Sequence, residues 1–565
     1  MFGHIEKKLI KHTHRSIPPA TGLRVRRIQN RSIMLLKNRP LYLLFPLLLL
    51  FSSTTIAQTK SLKITSLGAI ADGVTNNAVA IQKAIDKVSK SGGGKVVVPP
   101  GNFLSGTIWL KTGVTLHLEL GARLLGPTDR NLYAKVDDRP AVVMAENQQH
   151  IGISGQGIID GQGQELMLDI FKKLRSGEMV QDTIWKVKRP GGRTMVLNFK
   201  SCSDISITGV TLKNASDWVQ DYRECSNLII DGITVQSTAY WNNDGLDITD
   251  SKNVRISNCF INSTDDAICL KSENPALGCE NVHVENCTLR SSASAFKLGT
   301  RSDGGFRKIT VRNLTIFDTY RSAIALESVD GGDLTGIDIQ HINAKNTGNA
   351  IFIRLGQRTE GKASTLKGVY IAHVKVEVPL YKPDQGYPIE GPPDHLRPGE
   401  DKMPKRPSHF HIYGHPFLPY NLIPSSIVGL PGHPVQDVTL EDIEITYGGR
   451  AKKEIAQIPL DKITSVPENP KAYPDFSMFG ELPAWGFYLR HAEGIKIKGL
   501  KLRFVDDDFR PALVLDDVNN SEFDGVEVLT AKEMPVVVLN RSEVVLKGLK
   551  MPVGEAMGVR RSGYE

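Results

Sequence analysis

The chain has 565 residues, of which 40% are hydrophobic and 23% are charged. Residues 1–57 contain ten of the 69 Lys and Arg residues and one of the 61 Asp and Glu residues, so the rest of the chain carries 59 positive and 60 negative side chains. This balance argues against a nucleic-acid partner, because proteins that bind nucleic acids usually present an excess of Lys and Arg.

The first segment, residues 1–57, has the composition of an export signal. An apolar run from Leu41 to Leu50 follows basic residues and precedes small residues that end at Ala57. This order predicts a signal peptide cleaved near Ala57 and a secreted or periplasmic protein. The apolar run is short for a membrane span, so no stable span is expected after cleavage.

The next segment, residues 58–130, is predicted to form an N-terminal cap and the first coils of a repeat structure. Apolar residues recur at helical spacing from Ala78 to Ser89, which predicts a short helix. A helix at this end would protect an otherwise open β edge, which promotes aggregation when it is exposed.

A short alternating motif then recurs within residues 131–553. Seven copies, 23 to 32 residues apart, begin at Ile205, Leu228, Val254, Val282, Ile309, Ile337 and Val369. Alternation of apolar and polar residues indicates half-buried strands, and a period in the twenties indicates one solenoid coil per copy. The predicted fold class is all-β, a parallel β-helix with a short N-terminal capping helix.

Two interruptions of the repeat, at about 378–435 and 450–484, are rich in Pro, Gly, Tyr and His. Insertions of this size in a solenoid form loops over one face, which is often the binding face.

All six cysteines lie between Cys202 and Cys287. Stacked buried thiols are the preferred interpretation, and a disulfide pairing is the alternative. There is no CxxC or His-rich spacing that would indicate a metal site, and we expect no cofactor.

A second strand repeats in register and gathers acidic residues. Its copies begin at Asp244, Asp266, Ser294, Ser322 and Asn349. Asp244 and Asp266 therefore share a column, Asp265 adjoins it, and adjacent parallel strands are only about 4.8 Å apart. Because one carboxyl acid and one carboxylate base can hydrolyse a glycosidic bond, these three are the predicted catalytic residues. The alternative is that they cap turns.

The predicted substrate contacts lie on or beside the outward face of this strand. They are Asp247, Lys297, Arg301, Arg354, Tyr222 and Trp241. The cations would bind an acidic sugar, and Tyr222 and Trp241 would stack on a sugar ring. The alternative for the cations is that they are solvated or paired with Glu327.

Two motifs in this region carry a family resemblance. Asn242–Asp247 and the pair Asp265-Asp266 resemble core motifs of glycoside hydrolase family 28, the polygalacturonases and rhamnogalacturonases, and Lys63–Asn77 resembles the start of pectin-degrading β-helix enzymes. The resemblance covers about residues 60 to 550. It implies a right-handed parallel β-helix and an inverting hydrolase, in which Asp265 is the general acid and Asp244 and Asp266 position and deprotonate water.

The chain departs from the family pattern at two places. Register puts Ser294 where polygalacturonases have the histidine of Gly-His-Gly, and Ala325-Leu326-Glu327 where they have Arg-Ile-Lys. Replacing Arg and Lys by Ala and Glu removes cations that would hold the galacturonate carboxylate. We therefore expect a rhamnogalacturonan or another atypical pectic substrate, and action on chain ends if the long loops close the cleft.

The sequence as a whole predicts a secreted inverting glycoside hydrolase that acts on a pectic or related polysaccharide. One alternative is a polysaccharide lyase on the same fold, which would need a uronic acid, an Arg or Lys base and usually Ca²⁺. The other is a β-helix that binds glycans without catalysis. The oligomeric state stays open.

Overall fold

In the computed structural model, the chain forms the predicted right-handed parallel β-helix. The structure describes residues 60–178, 193–238, 242–381, 383, 421–453, 460–532, 535–552 and 558–562. The predicted signal segment, Trp241 and most of the interruption at 378–435 lie outside these ranges. Among the described helices, none combines the length and apolar character that a membrane crossing requires.

Three parallel sheets form the walls of the β-helix, since the strands of one coil pair with the equivalent strands of the next coil. We call the wall that follows Asp244 and Asp266 the site sheet. It consists of the strands Ile108–Trp109, Arg139–Glu146, Met195–Lys200, Gln220–Arg223, Leu246–Thr249, Ile268–Ser272, Phe296–Ser302, Ser425–Val428, Phe487–Glu493, Leu513–Asn519, Val537–Asn540 and Val559–Ser562, and the C-terminal parts of Phe306–Ser328 and Asp333–Leu355.

The other two walls share several long strands that turn a corner without a break. The second sheet consists of Ser61–Lys63, Gly94–Val98, Val114–Leu118, Gln149–Gly155, Ser203–Thr208, Ser226–Asp231, Lys252–Ser257, Cys279–Glu285 and Val544–Lys547, and the first parts of Phe306–Ser328, Asp333–Leu355, Thr365–Val378, Val435–Gly449, Lys496–Asp506 and Ser521–Val528. The third sheet consists of Gly101–Leu104, Ala122–Leu125, Ile158–Asp160, Thr211–Lys213, Thr234–Ser237, Phe260–Ser263 and Thr288–Ser291, and the later parts of the same long strands. Among the described strands, Lys135–Val136 alone pairs antiparallel, with Arg139–Glu146.

The described part of the chain also contains two α-helices, Ala78–Lys90 and Gly163–Ser176, and short 3₁₀ turns at Ile64–Leu67, Arg130–Leu132 and Leu460–Ser465. Ala78–Lys90 is the predicted helix. Its apolar stripe, which includes Ile81 and Ile85, is buried against the first strands. The six cysteines are buried and free, as the preferred interpretation had it.

The register of the site sheet is the one that the repeat predicted. Leu246 pairs with Ile268, Ile268 with Phe296, and Phe296 with Ile324, and all four side chains are fully buried in the interior. Because side chains alternate along a strand, the residues between them face outward. This alternation fixes which residues of each coil can meet a ligand.

Candidate active site

The three predicted catalytic aspartates lie together at the start of two adjacent strands of the site sheet. One carboxylate oxygen from each of Asp244, Asp265 and Asp266 lies within 4.8 Å of the others. Asp244 and Asp266 are 4% and 3% exposed, whereas Asp265 is partly exposed. The cluster is therefore nearly enclosed, and Asp265 is its accessible member.

A buried lysine holds one side of this cluster. The ammonium group of Lys271 donates to Asp244 Oδ2 at 2.7 Å and also contacts Asp247 Oδ1. It lies 4.2 Å from the ring centre of Trp218, a cation–π contact. Burial would lower the pKa of Lys271, but the two carboxylates outweigh it and raise that pKa well above its usual value. Lys271 therefore stays charged.

A second buried lysine holds the other side. The Lys297 ammonium lies 3.1 Å from Asp266 Oδ2 and 3.7 Å from Glu327 Oε2, and it donates to the Tyr473 hydroxyl at 3.2 Å. Lys297 is 1% exposed. Each of the two deeply placed catalytic candidates, Asp244 and Asp266, thus has its own lysine.

Asp265 is held by neutral donors. Its Oδ1 accepts a hydrogen bond from the backbone N–H of Asp266 at 3.0 Å, and its Oδ2 accepts one from Asn242 Nδ2 at 3.2 Å. The side chain of Asn242 is in turn positioned by Arg193, which donates to its Oδ1 at 3.2 Å. These contacts fix the orientation of the Asp265 carboxyl at the edge of the cluster.

Carboxylates outnumber ammonium groups in this network, so the carboxyl groups do not all ionise together. Burial raises the pKa of Asp244 well above its usual value and that of Asp247 to about 7, although Lys271 opposes both shifts. Burial acts on Asp266 too, but Lys297, Lys271 and Arg321 outweigh it and lower the pKa of this group. Asp266 therefore stays ionised to lower pH than Asp244 and Asp247 do.

Two predicted substrate contacts are corrected by the structure. Tyr222 pairs with Ile248 and points into the interior, where its hydroxyl donates to Gln220 Oε1, so it cannot stack on a bound sugar. Arg354 faces outward but is fully buried, because its guanidinium donates to the backbone carbonyls of Glu468 and Asn469 at 2.7 and 3.2 Å.

The remaining predicted contacts differ in their surroundings. Asp247 is fully buried against Lys271, and Lys297 is buried as described above. The Arg301 side chain is 52% exposed and lies 3.2 Å from Asp303, so its role stays a prediction. Trp241 lies outside the described residues.

Lys271, Tyr473 and Asp475 belong to the network, but the sequence did not single them out as site residues. Lys271 occupies an outward-facing position in the alternation of its strand. An outward-facing lysine next to an acidic pair was a signal that could have identified it as a site residue. Tyr473 and Asp475 arrive from a distant loop, with Asp475 Oδ2 3.0 Å from Arg321 Nε. No local pattern indicates that contact.

Within the described ranges, two groups of ligand atoms are close enough to hold a cation. One is Asp244, Asp265 and Asp266, and the other is Asp244, Asp247 and Cys269. Both groups include Asp244, whose Oδ2 already accepts a hydrogen bond from Lys271. That ammonium group supplies positive charge at the position where a metal ion would otherwise do so.

The fold and the site define the class of protein as a parallel β-helix that carries a carboxylate cluster beside one of its sheets. More specifically, the model of the family Glycosyl hydrolases family 28 matches residues 89–378, and the chain belongs to this family.

Relatives whose names state a function agree with this assignment. The chain is 26% identical over 338 residues to a "Probable polygalacturonase" of Vitis vinifera, covering 56% of this chain and 61% of that protein. It is 27% identical over 333 residues to an "Exo-poly-alpha-D-galacturonosidase" of Dickeya chrysanthemi, covering 50% and 54%. The matches thus span little more than half the length of these relatives.

A solved structure supports the fold. The exopolygalacturonase from Thermotoga maritima matches with a TM-score of 0.52 and 21% identity, covering 69% of this chain and 87% of that one. The predicted family and fold are both confirmed.

Proposed function

We propose that the protein is an exported glycoside hydrolase that cleaves O-glycosidic bonds of a pectic or related polysaccharide with inversion. The observation that carries the proposal is the cluster of Asp244, Asp265 and Asp266, whose oxygens lie within 4.8 Å on the outer face of the site sheet. Membership of a glycosyl hydrolase family supports it.

Asp265 is assigned as the general acid. A group that protonates the leaving oxygen must reach the substrate, and Asp265 is the accessible member of the cluster. Burial and the neighbouring carboxylates raise the pKa of Asp244, so the cluster keeps a proton beside Asp265.

Asp266 is assigned as the principal base, with Asp244 as its partner. Lys297 and Lys271 favour the ionised form of Asp266 after the cost of burial is counted. Two oxygens up to 4.8 Å apart can be bridged by one water that makes a hydrogen bond of about 2.8 Å to each. Asp244 and Asp266 would hold the attacking water in this way.

Inversion rests on the family resemblance and not on the separation of the carboxylates. Inverting enzymes usually place the two carboxyl groups roughly 6.5–9.5 Å apart. The nearest oxygens of the cluster are closer than that, at 4.8 Å or less. The stereochemistry of the product therefore needs a direct measurement.

The substrate is proposed to be a pectic polymer other than plain homogalacturonan. Glu327 occupies the position of a family lysine, and Lys297, the lysine beside it, is already engaged by Asp266, Glu327 and Tyr473. A sugar carboxylate placed here would meet Glu327 instead of an available cation.

An assay of reducing ends on polygalacturonate and on rhamnogalacturonan tests the function, with product anomers followed by NMR. We expect cleavage, most of it on rhamnogalacturonan, with the inverted anomer formed first. Products that absorb in the ultraviolet because of a new double bond would instead identify a lyase. Binding to these polymers with no release of reducing ends would favour the glycan-binding alternative.

Export is proposed from the composition of residues 1–57. Expression of the full chain in a bacterial host, followed by N-terminal sequencing of the exported protein, should give a chain that begins near Gln58. An unprocessed chain retained in the cytoplasm would contradict this.

A further inference from the structure

The outward face of the site sheet changes its chemistry immediately after Lys297. One column of paired outward positions reads Asp221, Asp247, Cys269, Lys297, Ala325, Phe352, Ser426, Tyr488, Val514 and Val538. The members before Ala325 are mostly charged, and those from Ala325 onward are mostly apolar. An apolar outer face on a solvent-facing sheet implies that something covers it.

The cover is the segment 460–484, which we call the strap. Apolar strap residues that include Ile463, Phe476 and Phe479 form one buried cluster with the outward residues Phe352 and Val514. Phe352 is 1% exposed and Val514 is fully buried. The strap therefore seals the part of the site sheet that follows the aspartates.

Buried arginines fix the strap in place. Arg354 donates to the carbonyls of Glu468 and Asn469, and Arg490 Nη1 donates to the carbonyl of Val466 at 2.6 Å. Lifting the strap would break these hydrogen bonds and expose the apolar cluster beneath it to water, which costs about 25 cal/mol per Å² of apolar surface. The strap is thus a fixed wall and not a mobile lid.

The near edge of the wall reaches the catalytic candidates. Tyr473 accepts a hydrogen bond from Lys297, whose ammonium contacts Asp266, and Asp475 lies 3.0 Å from Arg321. Lys297 lies one coil beyond Asp266, and Arg321 two coils beyond Asp265. At about 4.8 Å per coil, the space between the aspartates and the wall is roughly 10 Å or less.

The other side of the aspartates is lined differently in the described part of the chain. Arg139 and Arg223 contact Asp221 at 2.7 Å each, and both also approach Glu273, whose side chain is 26% exposed. Trp218 packs beneath Arg139. The outward column continues from Asp221 to Asn198 and Met144, and Met144 packs with Trp218 in another buried apolar cluster. On this side the polar coils of Asp221 and Asn198 therefore separate Asp247 from the coil of Met144.

We propose that the strap closes the cleft just beyond the aspartates, so that the enzyme cuts one or two sugars from one end of the chain, with Tyr473 as the residue that meets the terminal sugar. This inference rests on the hydrolase proposed above. It assigns Tyr473 as a specificity-determining residue, since it lines the closed end without belonging to the acid–base group.

The product pattern on polygalacturonate and rhamnogalacturonan tests closure. Wild type should release mono- or disaccharide from the first time point, with little early loss of viscosity. Tyr473→Ala should raise the share of longer products severalfold. Lys471→Ala is the matched control, because Lys471 is also on the strap but pairs with the exposed Glu360. A ladder of fragments from wild type at the earliest time would overturn closure and leave the hydrolase assignment standing.

Binding to a folded, inactive variant gives a test that needs no catalysis. Asp265→Asn should bind oligosaccharides that carry a bulky tag at one end, and should bind those tagged at the other end at least tenfold more weakly. Equal binding of both tagged forms would overturn the closed end. If wild type cuts no polymer but the tags still discriminate, the hydrolase assignment fails while the closed end survives.

Discussion

Two halves of the site sheet have the same backbone and opposite chemistry. Before Ala325, the outward column carries Asp221, Asp247 and Lys297, which are buried in ion pairs. After it, the column carries residues such as Phe352 and Val514, which are buried under the strap. The coil backbone is the same in both halves, so the outward side chains distinguish the half that holds the aspartate cluster from the half that packs under the strap.

The two halves should also differ energetically. Buried charges lose hydration, and their mutual attraction often repays no more than that loss. Buried apolar area stabilises by about 25 cal/mol per Å². We therefore expect the intact ion pairs of the charged half to add less stability than the apolar half does, although removing one partner of a pair would leave a buried charge unpaired.

The largest effect should come from Asp265→Asn in the charged half. Removing the proton donor is expected to lower kcat about 10³-fold, within the range for general acids, with the unfolding temperature unchanged. Release of reducing ends and thermal unfolding measure the two quantities. A variant that keeps a tenth or more of the activity would refute the acid assignment.

Phe352→Ala should give the largest loss of stability in the apolar half. A cavity between the sheet and the strap is expected to cost about 3–5 kcal/mol of unfolding free energy. Denaturant unfolding measures it, and Phe352→Leu is the matched control, with an expected cost below about 1.5 kcal/mol. A cost below 1 kcal/mol for the alanine variant would mean that the strap does not pack as described.

Lys297→Met changes the last charged residue of the outward column before the apolar half begins, and it tests whether this lysine controls the ionisation of Asp266. Without the ammonium group the pKa of Asp266 should rise, because burial is then opposed only by more distant cations. The acidic limb of the pH–kcat profile should move to higher pH, with kcat lowered about 10–100-fold at its optimum. Lys297→Arg keeps the charge and should move the limb less. If the acidic limb of the pH–kcat profile does not move in Lys297→Met, then Lys297 does not control the ionisation of the base.

Glu327→Gln should change how stability depends on pH. Burial raises the pKa of Glu327 from 4.5 to about 7. Between these values the folded protein binds more protons than the unfolded chain, so this group lowers stability as pH rises from 4.5 to about 7. The variant should lose that dependence and gain on the order of 3 kcal/mol relative to wild type above pH 7. Unfolding measured at pH 5 and pH 8 checks it, and identical slopes for both proteins would contradict it.

The smallest effect should come from Arg301→Ala at the exposed rim. If Arg301 contacts an acidic sugar, KM should rise roughly fivefold at constant kcat, and stability should change by less than about 0.5 kcal/mol. Arg255→Ala is the matched control, since Arg255 is also exposed and pairs with Glu285 on another sheet. An unchanged KM would remove Arg301 from the predicted contacts.

Several features were readable from the sequence because they depend on local periodicity. Alternating apolar residues admit one register, since a slip by one residue would turn the buried face outward. That register places Asp244 and Asp266 in one column and Asp265 beside it. It also placed Tyr222 opposite Ile248, facing inward, so the error over Tyr222 came from not extending the alignment by one coil.

Other features depended on contacts between distant parts of the chain. Arg354 was correctly assigned to an outward position, but its partners Glu468 and Asn469 lie more than 110 residues away. Tyr473 reaches Lys297 across 176 residues. The repeat therefore determined the β-helix and the column of aspartates, because neighbouring coils impose the same register. Only the tertiary structure decided which outward residues are covered, because loop placement depends on packing that no local period encodes.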